Sequence, residues 1–413
     1  MARRSAPGKL KIAMIGTRGV PAAYGGFETA VEEIGRRLVA RGHEVTVYCR
    51  HIDGPRTKTH LGMKLVYLPA LRLKAAETLS HTAFSVMHAA VTTKHDMAFV
   101  FNAANAPFVP MLRARGIPTA VHVDGLEWMR DKWSGAGRRY YLGVEKLAVK
   151  WADALIADAK GIADYYANKF DADTELLTYG SPILRDAASD RLAELGLEPG
   201  RFHLVVARFE PENHVDMIVK GFSQSAAEYP LVVVGSAPYS AAYTSSIEAI
   251  ASTDPRVHLL GGVWDQEQLD QLYAHALTYA HGHSVGGTNP SLLRAMGGGT
   301  PVLAFDVEFN REVLGEHGMY FGTPDAFQER IDYAERHASQ LLVLGQRLQR
   351  RAELTYNWDD VAEGYEDLAT RLANGYSIHK TRRPRVTADR PIAIAEPSHT
   401  MISTSSRTDS RIS

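Results

Sequence analysis

A single cysteine, Cys49, serves the 413-residue chain, so no internal disulfide can form and a reducing compartment suits it. It closes the apolar run 45–49, where a buried thiol is expected rather than a reactive one. An excess of either charge is equally missing. Lysine and arginine number 46 against 47 aspartates and glutamates, a formal net charge of −1, which gives no bulk attraction to nucleic acid. Long apolar runs are missing as well. Behind the basic residues Arg3, Arg4, Lys9 and Lys11 the apolar stretch covers only 12–15, too short for a signal-peptide core or a bilayer span. These absences predict a cytoplasmic protein with no nucleic-acid partner and at most a peripheral contact at the inner face of a membrane.

What is present is an ordinary globular balance, 45% apolar and 23% charged residues. The length exceeds one core and predicts two α/β domains. In the first half, short apolar runs at 11–16, 45–49, 64–68, 97–101, 119–123 and 154–156 alternate with helical or turn-rich stretches. The pattern restarts at 203–207, 231–234, 257–260, 277–281 and 301–305. Such alternation predicts two parallel sheets covered on both faces, with a cleft at the strand carboxyl ends. The expected first domain is 9–185, completed by a last helix over 357–374 with an apolar stripe of Trp358, Val361, Tyr365, Leu368 and Leu372. The second domain is expected over 198–356. From residue 377 the chain lacks periodicity and reads as a disordered tail, with seven basic against three acidic residues between Lys380 and Arg411.

Three clusters carry chemistry. Gly25-Gly26-Phe27-Glu28 follows the first strand and opens a helix, so the Gly25 and Gly26 backbone N–H groups suit an anion. Arg208 ends a strand, where its forked guanidinium suits a diphosphate; an exposed ion pair with Glu210 or Glu212 is the plainer reading. The third cluster runs His281-Gly282-His283-Ser284-Val285-Gly286-Gly287-Thr288-Asn289-Pro290-Ser291. Gly286 and Gly287 allow close backbone approach, and the helix start near Asn289 to Ser291 offers free N–H donors to phosphate. His281 and His283 invite a metal reading, which ranks below phosphate because neither cysteine nor carboxylate accompanies them. His122 and Asp124, at another strand end, are candidates to orient acceptor or sugar, with Glu127 and Arg130 weaker ones.

At these clusters the chain resembles the retaining glycosyltransferases of family four, which have the GT-B fold. The resemblance runs from about residue 10 to 372 and includes Ala207-Arg208, Val234-Gly235, Val257-His258-Leu259-Leu260-Gly261 and Gly299-Thr300-Pro301-Val302. Val123-Asp124-Gly125-Leu126-Glu127-Trp128 and Val285 through Leu293 are similar to a bacterial rhamnosyltransferase-like subgroup. The resemblance implies two Rossmann-like domains facing a cleft. It further implies hexosyl transfer, rhamnosyl by the subgroup, from a nucleotide diphosphate sugar to a glycan or lipid-linked acceptor in cell-surface polysaccharide synthesis. Configuration is retained, with no cofactor and no metal. The chain departs from the family where Asn213 replaces the usual lysine, and where Arg294 replaces a glutamate that accepts ribose hydroxyls. The partner glutamate, expected near 284–286, is also missing. Arg294 therefore implies a deoxyribose donor, and the three losses keep open a non-catalytic nucleotide-sugar-binding protein.

Overall fold

The computed structural model describes residues 8–22, 25–51, 56–71, 77–92, 94–123, 126–130, 133, 135–235 and 241–380. The first lobe runs β1 (Lys11–Ile15), α1 (Gly26–Ala40), β2 (Glu44–Arg50), β3 (Thr59–His60), β4 (Met63–Leu68), α2 (Glu77–Thr92), β5 (Met97–Phe101), α3 (Val109–Ala114), β6 (Thr119–His122), α4 (Gly135–Trp151), β7 (Ala154–Ala157), α5 (Lys160–Phe170) and β8 (Glu175–Leu176). The second continues with β9 (His203–Val206), α6 (Val215–Ser223), β10 (Leu231–Val234), α7 (Ala241–Ala251), β11 (Val257–Gly261), α8 (Gln266–His275), β12 (Thr278–His281), α9 (Pro290–Gly297), β13 (Val302–Phe305), α10 (Glu308–Leu314), β14 (Met319–Phe321), α11 (Pro324–Arg336) and α12 (Ala338–Thr355). The last helix, α13, spans Trp358–Ala373.

The first sheet has strand order β3-β4-β2-β1-β5-β6-β7-β8, antiparallel only between β3 and β4. Strands buried on both faces need apolar side chains throughout, and β5 (Met-Ala-Phe-Val-Phe) is buried at every position. Alternation along β1 sorts its two faces. Ile12 and Met14 join Ile34 and Leu38 of α1 and Leu368 of α13, whereas Ala13 and Ile15 join Val86 of α2, Leu112 of α3 and Ala148 of α4. The second sheet, β11-β10-β9-β12-β13-β14, is parallel throughout. The architecture is therefore two parallel-sheet, Rossmann-like domains. Strands β3, β8 and β14 were not anticipated, being two or three residues long with too little pattern to detect.

Helix α13 carries the chain back to the first lobe. Asn357 caps it by accepting the Asp359 N–H. The apolar stripe is buried, Tyr365 meets Phe99 of β5 edge-on at 5.0 Å, and Arg41, just past the end of α1, reaches Glu366 at 2.7 Å. The chain beyond the helix stays attached longer than its composition suggests. Ser377 is buried, the Ile378 N–H donates to the Asp153 carbonyl at 2.9 Å, and His379 Nε2 donates to the Ala152 carbonyl at 2.9 Å. Packing thus replaces disorder over residues 377–380, while the remainder of the expected tail, 381–413, lies outside the described residues. Among the described residues no helix is long and apolar enough to cross a membrane.

Candidate active site

Between the two sheets lies a cavity of about 1370 Å³, and both lobes line it. Gly25, Gly26, Arg208, Gly286, Gly287, Thr288, Asn289, Ser291 and Arg294 all reach its wall, so the three sequence clusters converge in one place. The reason is topological: each follows the carboxyl end of a parallel strand, and both sheets turn those ends toward the cleft.

Helix α1 enters the cleft with its N-terminus bare. Gly25 occupies the cap position at φ 133 with no side-chain cap, a conformation that favours glycine. Glu28, in the first turn, instead accepts the Arg18 N–H at 3.0 Å and fixes the preceding loop. Gly26 abuts the other lobe, where an added Cβ would stand 3.0 Å from Pro290 Cγ. The starts of α1 and α9 therefore meet, each with the positive end of a helix dipole. The α9 start differs from expectation. Pro290 has no N–H, and the Ser291 N–H is taken up by Asn289 Oδ1 at 2.9 Å. The free donors expected at Asn289 to Ser291 are thus reduced by self-capping.

Arg208 leaves the end of β9 with 42% of its side chain exposed and Glu210 3.4 Å away. Asn213, in the place where the family carries lysine, is buried and donates Nδ2–H to the Arg208 carbonyl at 2.8 Å. It holds the loop and brings no charge. Across the cleft Arg130 of the first lobe joins Glu127 at 2.6 Å and Glu212 at 3.4 Å, tying the lobes together. Arg294 pairs with Asp270 of α8, so its guanidinium is anchored beside the cleft.

His122 is placed differently from expectation. It is buried and does not line the cavity; Phe27 stands edge-on at 5.2 Å and Phe101 and Tyr179 stack at 5.8 and 6.1 Å. Neither ring nitrogen has a hydrogen-bond partner, and burial pushes its pKa down to about 3, which keeps the ring neutral. Asp124 lies outside the described residues. His281 and His283 stack at 4.4 Å, and burial lowers both pKa values. Among the described residues no group of three or more His, Cys, Asp or Glu is placed to hold a metal.

Asp158 and Arg18 are among the cleft residues that escaped the sequence reading. Asp158 follows β7 and is buried against the glycine loop after β12: a Cβ on Gly287 would collide with its carboxylate, and Thr288 Oγ1 donates to its carbonyl at 2.5 Å. Its Oδ1 has no partner, and burial, assisted by Glu312, pushes its pKa up to about 7. Arg18 also lines the first-lobe wall. The missed signal was position, since a polar residue directly after an apolar strand is what marked Arg208.

Residues 9–182 match the family described as Domain of unknown function (DUF1972), and residues 200–336 match Glycosyl transferases group 1. No curated protein sequence matches the chain. Among solved structures, sucrose-phosphate synthase from Thermosynechococcus elongatus is similar with TM-score 0.75 and 21% identity, over 88% of this chain and 99% of that one. Anabaena HepE in complex with UDP and glucose gives 0.69 at 16% identity, over 87% and 99%. An E. coli structure described as trehalose-6-phosphate bound with UDP-2-fluoro glucose gives 0.67 at 10%, over 87% and 99%. At such identities the likeness establishes the fold, that of the GT-B glycosyltransferases. With the group 1 match across the second lobe, that fold indicates a glycosyltransferase.

Proposed function

We propose that the protein transfers a hexosyl group from a nucleotide diphosphate sugar to a glycan or lipid-linked acceptor, with retention of configuration and without a metal. The observation that carries this is the bare N-terminus of α1, opening into the same cleft as Arg208 and the start of α9. Backbone N–H groups, two helix dipoles and a guanidinium make a fixed positive environment for a departing diphosphate, whose negative charge grows as the glycosidic bond breaks. HepE and the E. coli protein were solved with UDP or a UDP-sugar, which supports the donor class. A rhamnosyl group on dTDP fits Arg294, which has no lone pair to offer a ribose hydroxyl.

Asp124 keeps the role the sequence suggests, orienting acceptor or sugar, and His122 would meet the sugar only through movement of Phe27 or Tyr179. Asn213, which supplies no charge to the diphosphate, favours a second reading, a nucleotide-sugar-binding protein without turnover. One assay separates them. Incubation with UDP-, GDP- and dTDP-sugars, with nucleotide diphosphate release followed, should give turnover with at least one donor. Tight nucleotide-sugar binding without release would select the second reading, and neither binding nor release would end both.

A further inference from the structure

Of the carboxyl groups on the cavity wall, Glu33, Glu77, Glu127, Glu353 and Asp359 each face an arginine, and Glu28 accepts the Arg18 N–H. Asp158 differs from all of them. It is 3% exposed, and its Oδ1 has no hydrogen-bond partner among the described residues. The nearby start of α5 offers it none, because the Lys160 and Gly161 N–H groups donate to Glu312 at 2.7 and 3.3 Å. Nor does the contact between the lobes require an acid here. Thr288 takes the Asp158 backbone carbonyl, which any residue would supply. A buried oxygen left without a partner costs stability, so the fold alone gives no reason for a carboxyl at 158.

Its surroundings give one. The carboxylate lies against Gly287, where only the lack of a Cβ leaves it room, whereas a Cβ on Gly286 would meet nothing within 4 Å. From Gly282 to Ser291 that loop has no Asp or Glu of its own, including at 284–286, where a glutamate is expected. Asp158 therefore brings, from the first lobe, the acid that the loop lacks. Gly287 stands two residues before Asn289, the cap of α9, so at most about 7 Å separates it from the helix start proposed to face the diphosphate. That is close to the breadth of a pyranose ring. Resting on the nucleotide-sugar reading of the cleft, we infer that Asp158 binds the donor hexose, its Oδ1 accepting a hydrogen bond from a ring hydroxyl. A carboxyl oxygen is a strong acceptor for such a group. Gly286, at φ 137, and Gly287 have no side chains to pin the loop, which permits the small shift that admits the hydroxyl.

The test compares binding of a nucleotide with binding of its sugar conjugate. The full chain is titrated calorimetrically with UDP and UDP-glucose, and with dTDP and dTDP-rhamnose. In the wild type at least one sugar should add affinity over its free nucleotide. Asp158→Ala should cut that added affinity roughly tenfold, the usual loss of one hydrogen bond to an acid, while affinity for the free nucleotide stays within about twofold. Asp158→Asn keeps the volume and repeats the comparison should alanine disturb the fold. In it the sugar's share should fall while the thermal midpoint at pH 8 rises, an unpaired buried acid having been removed. An acid with a merely structural role would give another pattern, nucleotide and conjugate weakening together with a lower midpoint, and that result overturns the assignment. So does an unchanged ratio of the two affinities in both variants, and so does a wild type that binds the nucleotides but gains nothing from either sugar. Failure of the nucleotide-sugar reading itself looks different: the wild type would then bind none of the four compounds, and both readings would fall.

Discussion

Arg208 meets the cleft with nearly half of its side chain in solvent, which separates its charge from the stability of the fold. Removing a charged donor from a leaving group costs roughly 3 kcal/mol in the transition state, so Arg208→Ala should lower turnover at least about a hundredfold while the thermal midpoint holds. Turnover within threefold of wild type would show that the diphosphate sits elsewhere. Arg294 calls for a different experiment. Arg294→Glu would place a carboxylate beside Asp270, and like charges repel, so the new side chain should turn toward the cleft. Calorimetric titration should then show UDP and GDP gaining affinity relative to dTDP; an unchanged ranking means that this position does not face the sugar of the nucleoside. At this scale the sequence marked nine cleft residues by glycine, by strand ends and by a helix start. It placed His122 too shallow because a strand-end position does not say which side chain covers it, and here Phe27 and Tyr179 do. It passed over Asp158 because a single carboxyl after a strand resembles any turn.

Among the elements, the short uninterrupted apolar runs were the legible ones, since burial on both faces leaves a signal that no loop imitates. β3 and β8 carry none, because each is only two residues long, β3 held by the tight turn into β4 and β8 by its pairing with β7. The end of α13 shows another limit. Residues 377–380 have no periodicity to detect, yet two hydrogen bonds and the side chain of Ile378 fasten them to the first lobe. Truncation after Lys380 should therefore leave thermal stability unchanged. Truncation after Tyr376 strands the Asp153 carbonyl without its partner and should cost roughly 1–3 kcal/mol, visible as a lower thermal midpoint; equal midpoints for the two truncations would show that the segment contributes nothing. Removing α13 altogether, by ending at Thr355, should yield insoluble protein, because Phe99 and its neighbours lose their cover.

For the molecule as a whole, the buried titratable groups set an acid limit. Burial pushes His81 and His95 down to about 4, and His122 and His281 to about 3, from 6.5. The unfolded chain binds these protons first, so the stability they contribute is present above pH 6.5 and is lost as pH falls through the folded values. Asp158 acts in the opposite sense. Its pKa is raised from 3.8 to about 7, so stability present below 3.8 is lost as pH rises toward 7. Four histidines outweigh one aspartate, and the thermal midpoint should fall as pH drops from 6.5 to 4; a flat profile would contradict the burial of these rings. Asp158→Asn should raise the midpoint at pH 8 relative to wild type, and no gain would place that carboxyl in water. Turnover, for its part, should survive EDTA, since in the proposed reading Arg208 and the helix ends hold the diphosphate; inhibition reversed by a divalent cation would bring His281 and His283 back as ligands.

The return of α13 to the first sheet also has a consequence in time. Strands β1 to β8 are complete by Leu176, but the helix that completes the cover of one face of their sheet beside α1 begins only at Trp358. At the usual pace of synthesis, about 5–20 residues per second, the ribosome needs roughly ten to forty seconds to make the intervening chain. Throughout that interval Phe99 and the strip around it stay wet on a nascent protein whose second lobe is still being threaded out. The first lobe is therefore the earliest part to be made and among the last to be finished, and its exposed strip is where a chaperone would hold the growing chain.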